Sequence, residues 1–356
     1  MKGNFDKTLG TGTQRTGYEL WRNMVPLSSK YQVDLKKIEI GVGNSLFKRK
    51  ISFILTMPFY NFNKYDIVHS LIAIPNSPPI TKHTKLLTTV NELVILEKES
   101  IPYKVLTADA KLNTPSFFNR ILSERIKKQI LDSDYLSVNS TQTCEEVIRL
   151  GYPKERIFII NHGVDERFLT KLPKKKNSKF RIGYIGALNT RKNLSLAIDA
   201  FKKIKYTNIE FEIWGKPVLE YNKLLKQAEE DKRIRFMGFA PEEKLVSIYD
   251  RFDAFVFPSV YEGFGLPIIE AQSRGLPVVL YKEGKIPKEV KKYCFMAKNS
   301  DDLSKILINL KEKGYDTKLK KNATDYARKF TRKKEAIDTL NLYLKLYSLN
   351  HKKLTN

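Results

Sequence analysis

The stretch DAFVFPSVYEGFGLPIIEAQSRGLPVVL, residues 253–280, decides how this chain folds. Its uninterrupted apolar run from Ala254 to Pro258 predicts a buried strand. Gly263 and Gly265 follow, and without Cβ atoms the backbone there can bend and bring its N–H groups close to an anion. Pro267 suits the first turn of a helix, where its missing N–H would have had no partner anyway. The unit therefore reads as strand, glycine turn and helix, with the free N–H groups of the helix end available to a phosphate. Any α/β protein has such turns, so the informative part is the pair of acids around this one. Glu262 lies before the turn and Glu270 one turn into the helix, with GFGLPII between them. Two carboxylates so placed can grip opposite ends of a ligand whose middle is a diphosphate, and a nucleotide-sugar fits that description.

The same rhythm runs outward in both directions. Upstream, Ile51 to Met57, Ile67 to Ser70, Leu86 to Val90, Lys104 to Leu106, Tyr135 to Val138 and Ile157 to Ile160 are strand candidates separated by amphipathic helical stretches. The rhythm breaks at KLPKKKNSK, Lys171 to Lys179, a charged, proline-containing segment that predicts a solvated linker. It restarts with RIGYIGAL at Arg181, followed by FEIWG, IRFMG, AFVFP and PVVLY. The economical fold is α/β, with two Rossmann-like domains whose parallel sheets face a central cleft, since ligands of open parallel sheets collect at the carboxyl ends of the strands. Residues 1–172 and 173–329 are the expected domains, and 330–356 a terminal helix. In that helix Ile337, Leu340, Leu344 and Tyr347, spaced by three and four, predict one apolar face.

A chain of 356 residues suits two domains, and 42% hydrophobic residues make it globular. Cys144 and Cys294 are too few for a disulfide framework, which suits a reducing cytoplasm. The start MKGNFDKTLG has no apolar signal segment, and no long apolar run predicts a membrane span. Net charge is +25, from 64 lysines and arginines against 39 acids. Such a field attracts polyanions: diphosphate substrates, a lipid-phosphate carrier at the cytoplasmic membrane face, or nucleic acid. A lysine-rich composition without functional meaning reads equally well.

PSVYEGFGLPIIEA, Pro258 to Ala271, resembles without a gap the signature of family 4 glycosyltransferases, retaining enzymes of the GT-B fold. The resemblance covers residues 130 to 310 well and the first 130 loosely. It implies a hexosyltransferase-type enzyme that moves a sugar from a nucleotide-sugar to an acceptor hydroxyl on a glycan or lipid-linked glycan. The C-terminal domain would hold the donor, the N-terminal domain would receive the acceptor, and the last helix would cross back to the N-terminal domain. It further implies that Glu262 bonds the donor sugar and that the N–H groups around Gly263, Phe264, Gly265 and Leu266 meet its phosphates. Glu270 would accept from the ribose hydroxyls, as an acceptor-only carboxylate can. No carboxylate need attack, so the two-carboxylate scheme of glycosidases does not transfer.

Arg191 and Lys192, in YIGALNTRKNLSLAIDA, stand after a strand and before a helix, where cations stabilise a leaving diphosphate. Lys192 falls on the family's phosphate-binding lysine when Gly186 is placed on its glycine; Ala187 replaces the family's arginine, and Arg191 is the substitute. Base contacts by resemblance come from Trp214, Gly215 and Lys216 and from Met237, Gly238 and Phe239, although Trp214 and Phe239 read equally as core aromatics. Gly10, Gly12 and Gly17, with Arg15, resemble the family's opening glycine loop, facing the phosphates across the cleft. Asn91 in TTVNEL occupies the position of a family histidine near the reacting carbon, and an amide cannot exchange protons there near neutral pH. His69 could compensate or be structural, and His162, in NHGVD, shapes the turn before the linker.

Asp132-Ser133-Asp134 spells the metal motif of the other large glycosyltransferase fold, but it precedes a strand and has no companion cluster, so transfer without metal or other cofactor is expected. Phe117, Phe118, Ile121 and Leu122 beside Arg120, Arg125, Lys127 and Lys128 fit a helix packed on the sheet better than a membrane-facing surface. Two other functions stay open. One is a glycosyltransferase acting on DNA bases, which the charge would serve; the other is a non-catalytic nucleic-acid or membrane-surface protein on a GT-B scaffold.

Overall fold

The computed structural model describes residues 12–37, 61–73, 78, 80, 81, 83–93, 117–170, 178–216 and 221–352. The expected strands Ile51 to Met57 and Lys104 to Leu106, Gly10, and most of the linker at Lys171 to Lys179 lie outside them, as do the side chains of Arg15 and of 117–122. The chain divides into two units. Of the described residues, those up to 93, 117–162 and 332–352 form the N-terminal one, and those from 163 to 331 form the C-terminal one. That unit begins at Gly163 rather than at residue 173, because the turn Glu166–Leu169 belongs to its core. Phe168 is buried there, and Arg274 donates to the Phe168 carbonyl at 3.0 Å while pairing with Asp250 at 2.7 Å.

Among the described residues the N-terminal unit contains β1 (Ile67–Ser70), β2 (Lys85–Val90), β3 (Tyr135–Val138) and β4 (Ile157–Ile159), a parallel sheet in that order. Leu86, Leu87, Val90, Leu136 and Val138 are buried, as expected of inner strands covered on both faces. Helix Phe117–Asp132 lies on this sheet through Gln129 and Ile130, with Gln129 donating to Thr88 Oγ1 at 2.8 Å.

The terminal helix, Arg332–Lys352, belongs to the N-terminal unit. Ala336 and Leu340 pack with Leu20 and Met24 of helix Gly12–Ser28, and Leu342 and Leu346 pack with Leu87 and Ile160. Its apolar face corrects the sequence expectation. Of the four residues proposed, Leu340 is fully buried, whereas Leu344 and Tyr347 are 39% and 45% exposed. The buried stripe instead starts with Arg332, Glu335 and Thr339. These polar residues satisfy one another or their neighbours, so hydropathy spacing does not reveal their burial.

The C-terminal unit contains β5 (Phe180–Ile185), β6 (Ile209–Trp214), β7 (Ile234–Gly238), β8 (Ala254–Phe257), β9 (Val278–Tyr281) and β10 (Phe295–Ala297), all parallel, in the order β10-β9-β8-β5-β6-β7. Counted from β7, this is the 3-2-1-4-5-6 order of a dinucleotide-binding sheet, with its switch point between β5 and β8. β10 has no counterpart in the sequence reading, since three residues are too few to show a period. Phe201, Phe211, Tyr249, Phe252, Phe255 and Phe257 are buried in one core that fixes the strand ends around the switch point.

Candidate active site

Chain direction diverges at the switch point, so the loops after β5 and β8 leave a crevice at the carboxyl ends of these strands. After β5, Gly186 donates its N–H to the Trp214 carbonyl at 3.0 Å. Gly215 passes so close that a Cβ on it would lie 2.0 Å from the Gly186 carbonyl oxygen. The turn Thr190–Lys192 then ends at Asn193, whose φ of 51° is left-handed. Asparagine tolerates that conformation better than most residues, so the chain can enter helix Leu194–Lys202 without the usual glycine.

After β8, the segment from Ser259 to Glu262 is stitched on both sides. Val260 N–H donates to the Arg191 carbonyl at 2.9 Å, and Glu262 N–H donates to the Lys285 carbonyl at 2.9 Å. Gly265 has a φ of 95°, the one place in the turn where the left-handed region requires glycine, and it caps helix Leu266–Ser273. Pro267 lies in the first turn of that helix.

These two loops bring Arg191, Lys192 and Glu262 together. Lys192 Nζ donates to Glu262 Oε1 at 2.5 Å, with both residues more than nine-tenths buried, and the ammonium lies 4.9 Å from the centre of the Phe257 ring. Arg191 Nη1 donates to the Tyr261 carbonyl at 3.3 Å. Burial of the Glu262 carboxyl works to raise its pKa, but Lys192 and Arg191 beside it outweigh that and hold it below the usual carboxylate range. Asn189 Oδ1 is buried nearby without a hydrogen-bond partner among the described residues, an acceptor left for a ligand donor. One turn into the helix, Glu270 is buried and accepts from the Tyr249 hydroxyl at 2.8 Å.

Gly186, Gly263, Phe264 and Leu266 stand on the same two loops, whereas Gly238 ends β7, two strands from β5, with a φ of 74°. Phe239 beside it is 53% exposed, so it is no core aromatic, and Lys216 Nζ sits 4.7 Å from its ring centre. Trp214 is half-buried against the core and donates from its indole to Glu212 at 3.2 Å.

Gly12 and Asn91 belong to the other unit. Gly12 opens helix Gly12–Ser28. Asn91 follows β2, and its Oδ1 lies 2.9 Å from His162 Nε2, while His162 Nδ1 lies 2.8 Å from Glu335 Oε1. Thus His162 reaches beyond its own turn. His69 has both ring nitrogens engaged, at 2.7 Å to the Tyr343 hydroxyl and 2.7 Å to Thr89 Oγ1, and loss of solvent around the ring pushes its pKa down to about 3. It is a strut between sheet and terminal helix that also lines a pocket with Asn91. The Asp132-Ser133-Asp134 acids have local partners: Asp132 pairs with Lys128, and Asp134 accepts from the Leu86 N–H.

The sequence reading missed Tyr249, the loop at Lys285 and Glu335. A glycine after β9 hints at the second, since a Cβ on Gly284 would lie 2.4 Å from the Ser259 carbonyl. Neither Tyr249 nor Glu335 leaves a local signal.

Comparison with known proteins gives this geometry its context. The family described as Glycosyl transferases group 1 matches residues 165–330. The O-antigen chain mannosyltransferase B of Escherichia coli is 31% identical over 47% of this chain and 48% of its own length. The chain spans about half the length or less of the first curated relatives it matches. Among solved structures, sucrose-phosphate synthase from Thermosynechococcus elongatus superposes with a TM-score of 0.65 at 18% identity, covering 85% of this chain and 78% of that one. Anabaena HepE, in complex with UDP-glucose, gives 0.64 at 15%, covering 97% and 96%. No described helix is long and apolar enough to cross a membrane. With two parallel-sheet units and these neighbours, the chain has the α/β GT-B fold, and its residues 165–330 match the family of group 1 glycosyl transferases.

Proposed function

We propose that this protein is a retaining glycosyltransferase that moves a sugar from a nucleotide-sugar to an acceptor hydroxyl without a metal ion. The observation that carries this reading is the buried Lys192–Glu262 pair flanked by Arg191 at the switch point. A buried ion pair is a poor way to stabilise a fold, because desolvation offsets most of its attraction. It is a good way to keep a cation and a carboxylate ready in a dry site. An arriving diphosphate competes for Lys192 and draws it off Glu262. Lys192 and Arg191 then neutralise the charge that grows on the leaving phosphate, aided by the N–H groups at the start of Leu266–Ser273. Glu262, freed and ionised, accepts from hydroxyls of the donor sugar, and Glu270, held by Tyr249, accepts from the ribose.

The Anabaena neighbour was solved with UDP-glucose, which makes UDP-sugars the first donors to try. The net charge of +25 favours an acceptor carried on a lipid phosphate, glycan-bearing or not, at a membrane surface. The test is a thermal-shift and calorimetric screen of UDP-, GDP- and ADP-sugars, with and without Mg²⁺, on the wild type, Glu270→Ala and Lys192→Met. A ligand of the folded state raises the melting midpoint. A shift that needs no metal and disappears in both variants supports the reading. Full binding by both variants, or binding only with metal, counts against it.

A further inference from the structure

Three asparagines stand at the carboxyl ends of adjacent strands in the N-terminal unit: Asn91 after β2, Asn139 after β3 and Asn161 after β4. Asn161 Nδ2 donates to the Asn139 carbonyl at 2.8 Å, and Asn139 Nδ2 donates to the Asn91 carbonyl at 2.8 Å. Asn139 Oδ1 in turn accepts from Thr143. The ladder carries the sheet's hydrogen bonding one residue past its last strand pairs and pins the backbone of Asn91. Its side chain is pinned separately: Oδ1 lies on His162 Nε2, His162 Nδ1 lies on Glu335 Oε1, and Arg332 donates to Glu335 Oε2 at 3.1 Å. Glu335 and Arg332 are 3% and 4% exposed, and His162 is 9% exposed, so water does not compete strongly for these contacts. Each ring nitrogen of His162 thus faces an oxygen, Glu335 Oε1 on one side and Asn91 Oδ1 on the other. Asn91 is then held with its carbonyl turned to His162, and its amide nitrogen makes no hydrogen bond among the described residues.

We propose that His162, braced by Glu335, is a positioning residue that fixes the Asn91 amide so that its N–H groups bind a hydroxyl oxygen of an uncharged sugar. This rests on the glycosyltransferase reading above, but the observations come from the other unit. The pocket that Asn91 lines presents Thr16, Thr89, Ser137 and Asn139, and no described lysine or arginine lines it, in a chain with 64 of them. A phosphate would require cations there; a hydroxyl requires single donors and acceptors. The hydroxyl could belong to the sugar of the donor or to that of the acceptor, since the chemistry is shared.

The test uses the full chain as wild type, Asn91→Ala, His162→Phe, His162→Gln and Glu335→Gln. The ¹H–¹⁵N signal of the Asn91 side-chain amide, assigned by its loss in Asn91→Ala, should move in His162→Phe and in Glu335→Gln. It should return toward its wild-type place in His162→Gln, which restores an N–H donor. Calorimetry then compares UDP with UDP-glucose, GDP with GDP-mannose, and methyl α-mannoside alone. Asn91→Ala and His162→Phe should weaken a sugar-bearing probe by about tenfold, the value of one well-placed hydrogen bond, and leave the bare nucleoside diphosphate within about twofold. Loss confined to the nucleotide-sugar assigns the donor as the source, and loss confined to the glycoside assigns the acceptor. Equal weakening of diphosphate and sugar-bearing probes, unchanged sugar binding, or an amide signal indifferent to His162 overturns the proposal. If no nucleotide binds the wild type at all, the glycosyltransferase reading falls, and the amide signal alone decides the role of His162.

Discussion

In the C-terminal unit the loops after β5 and β8 bring two cations to a carboxylate, whereas the pocket of the N-terminal unit is lined by amides, hydroxyls, imidazoles and apolar side chains, with the Glu335 carboxylate engaged by His162 and Arg332 and no described lysine or arginine. Both lie at the carboxyl ends of parallel strands, so topology alone does not account for the difference. One region is suited to negative charge that must be neutralised, the other to neutral groups that must be oriented. The first depends on electrostatics in a dry site, and the second on hydrogen-bond direction.

The largest effect that could break this contrast is expected from Lys192→Met. It strands an ionised Glu262 in a buried site, which should cost about 3–5 kcal/mol in urea unfolding as well as diphosphate binding. The double variant Lys192→Met/Glu262→Gln should recover most of the stability and none of the binding. If the single variant is as stable as wild type, the pair is not dry and the electrostatic account is wrong.

Acid should separate the units next. The pKa of His69 falls on folding from 6.5 to about 3, so the unfolded chain takes up the proton first. That stabilisation is complete above pH 6.5 and drains away as pH falls toward 3, reaching a loss of about 2 kcal/mol near pH 5. The Glu262 carboxyl, also lowered from 4.5, contributes stability above 4.5 that is lost as pH falls through its folded value. Hydrogen exchange at pH 5 should therefore show the N-terminal unit loosened before the C-terminal one. His69→Gln should flatten the slope between pH 6.5 and 5.

Smaller effects sharpen the picture. Gly265→Ala must place a Cβ at a φ of 95° and 3.0 Å from Ile268, which should cost about 1–2 kcal/mol and weaken nucleotide binding, while leaving the Asn91 amide signal unchanged. Tyr249→Phe removes the hydroxyl that donates to Glu270 at 2.8 Å and reaches the Pro267 carbonyl at 3.5 Å, so about 1 kcal/mol in thermal unfolding is expected, with a loss of affinity that depends on the ribose hydroxyls of the ligand.

How much of this was legible beforehand differs between the regions for a physical reason. The strand from Ala254, the glycine turn and the acids of the C-terminal site lie within one short stretch, and the apolar runs of β5 to β9 mark themselves by composition. The contacts of the N-terminal pocket join residues far apart in sequence: His69 to Tyr343 and His162 to Glu335. Glu335 sits on a helix among lysines, where a count of charges assigns it to solvent. Its burial depends on which imidazole the tertiary fold places opposite, and no spacing rule carries that. The helix face was misread for the same reason.

The N-terminal unit encloses the C-terminal one in sequence and is closed by the last helix, Arg332–Lys352. On the ribosome this reverses the usual order in which domains mature, N-terminal first. The part made earlier waits, with Leu20, Met24, Leu87 and Ile160 lacking the helix that covers them, until Arg332–Lys352 has been made. The C-terminal unit is complete by Thr331 and can fold while its elder neighbour is still open. A premature stop just after residue 331 would therefore yield a chain with an intact Lys192–Glu262 pair and an N-terminal half exposed to chaperones and proteases.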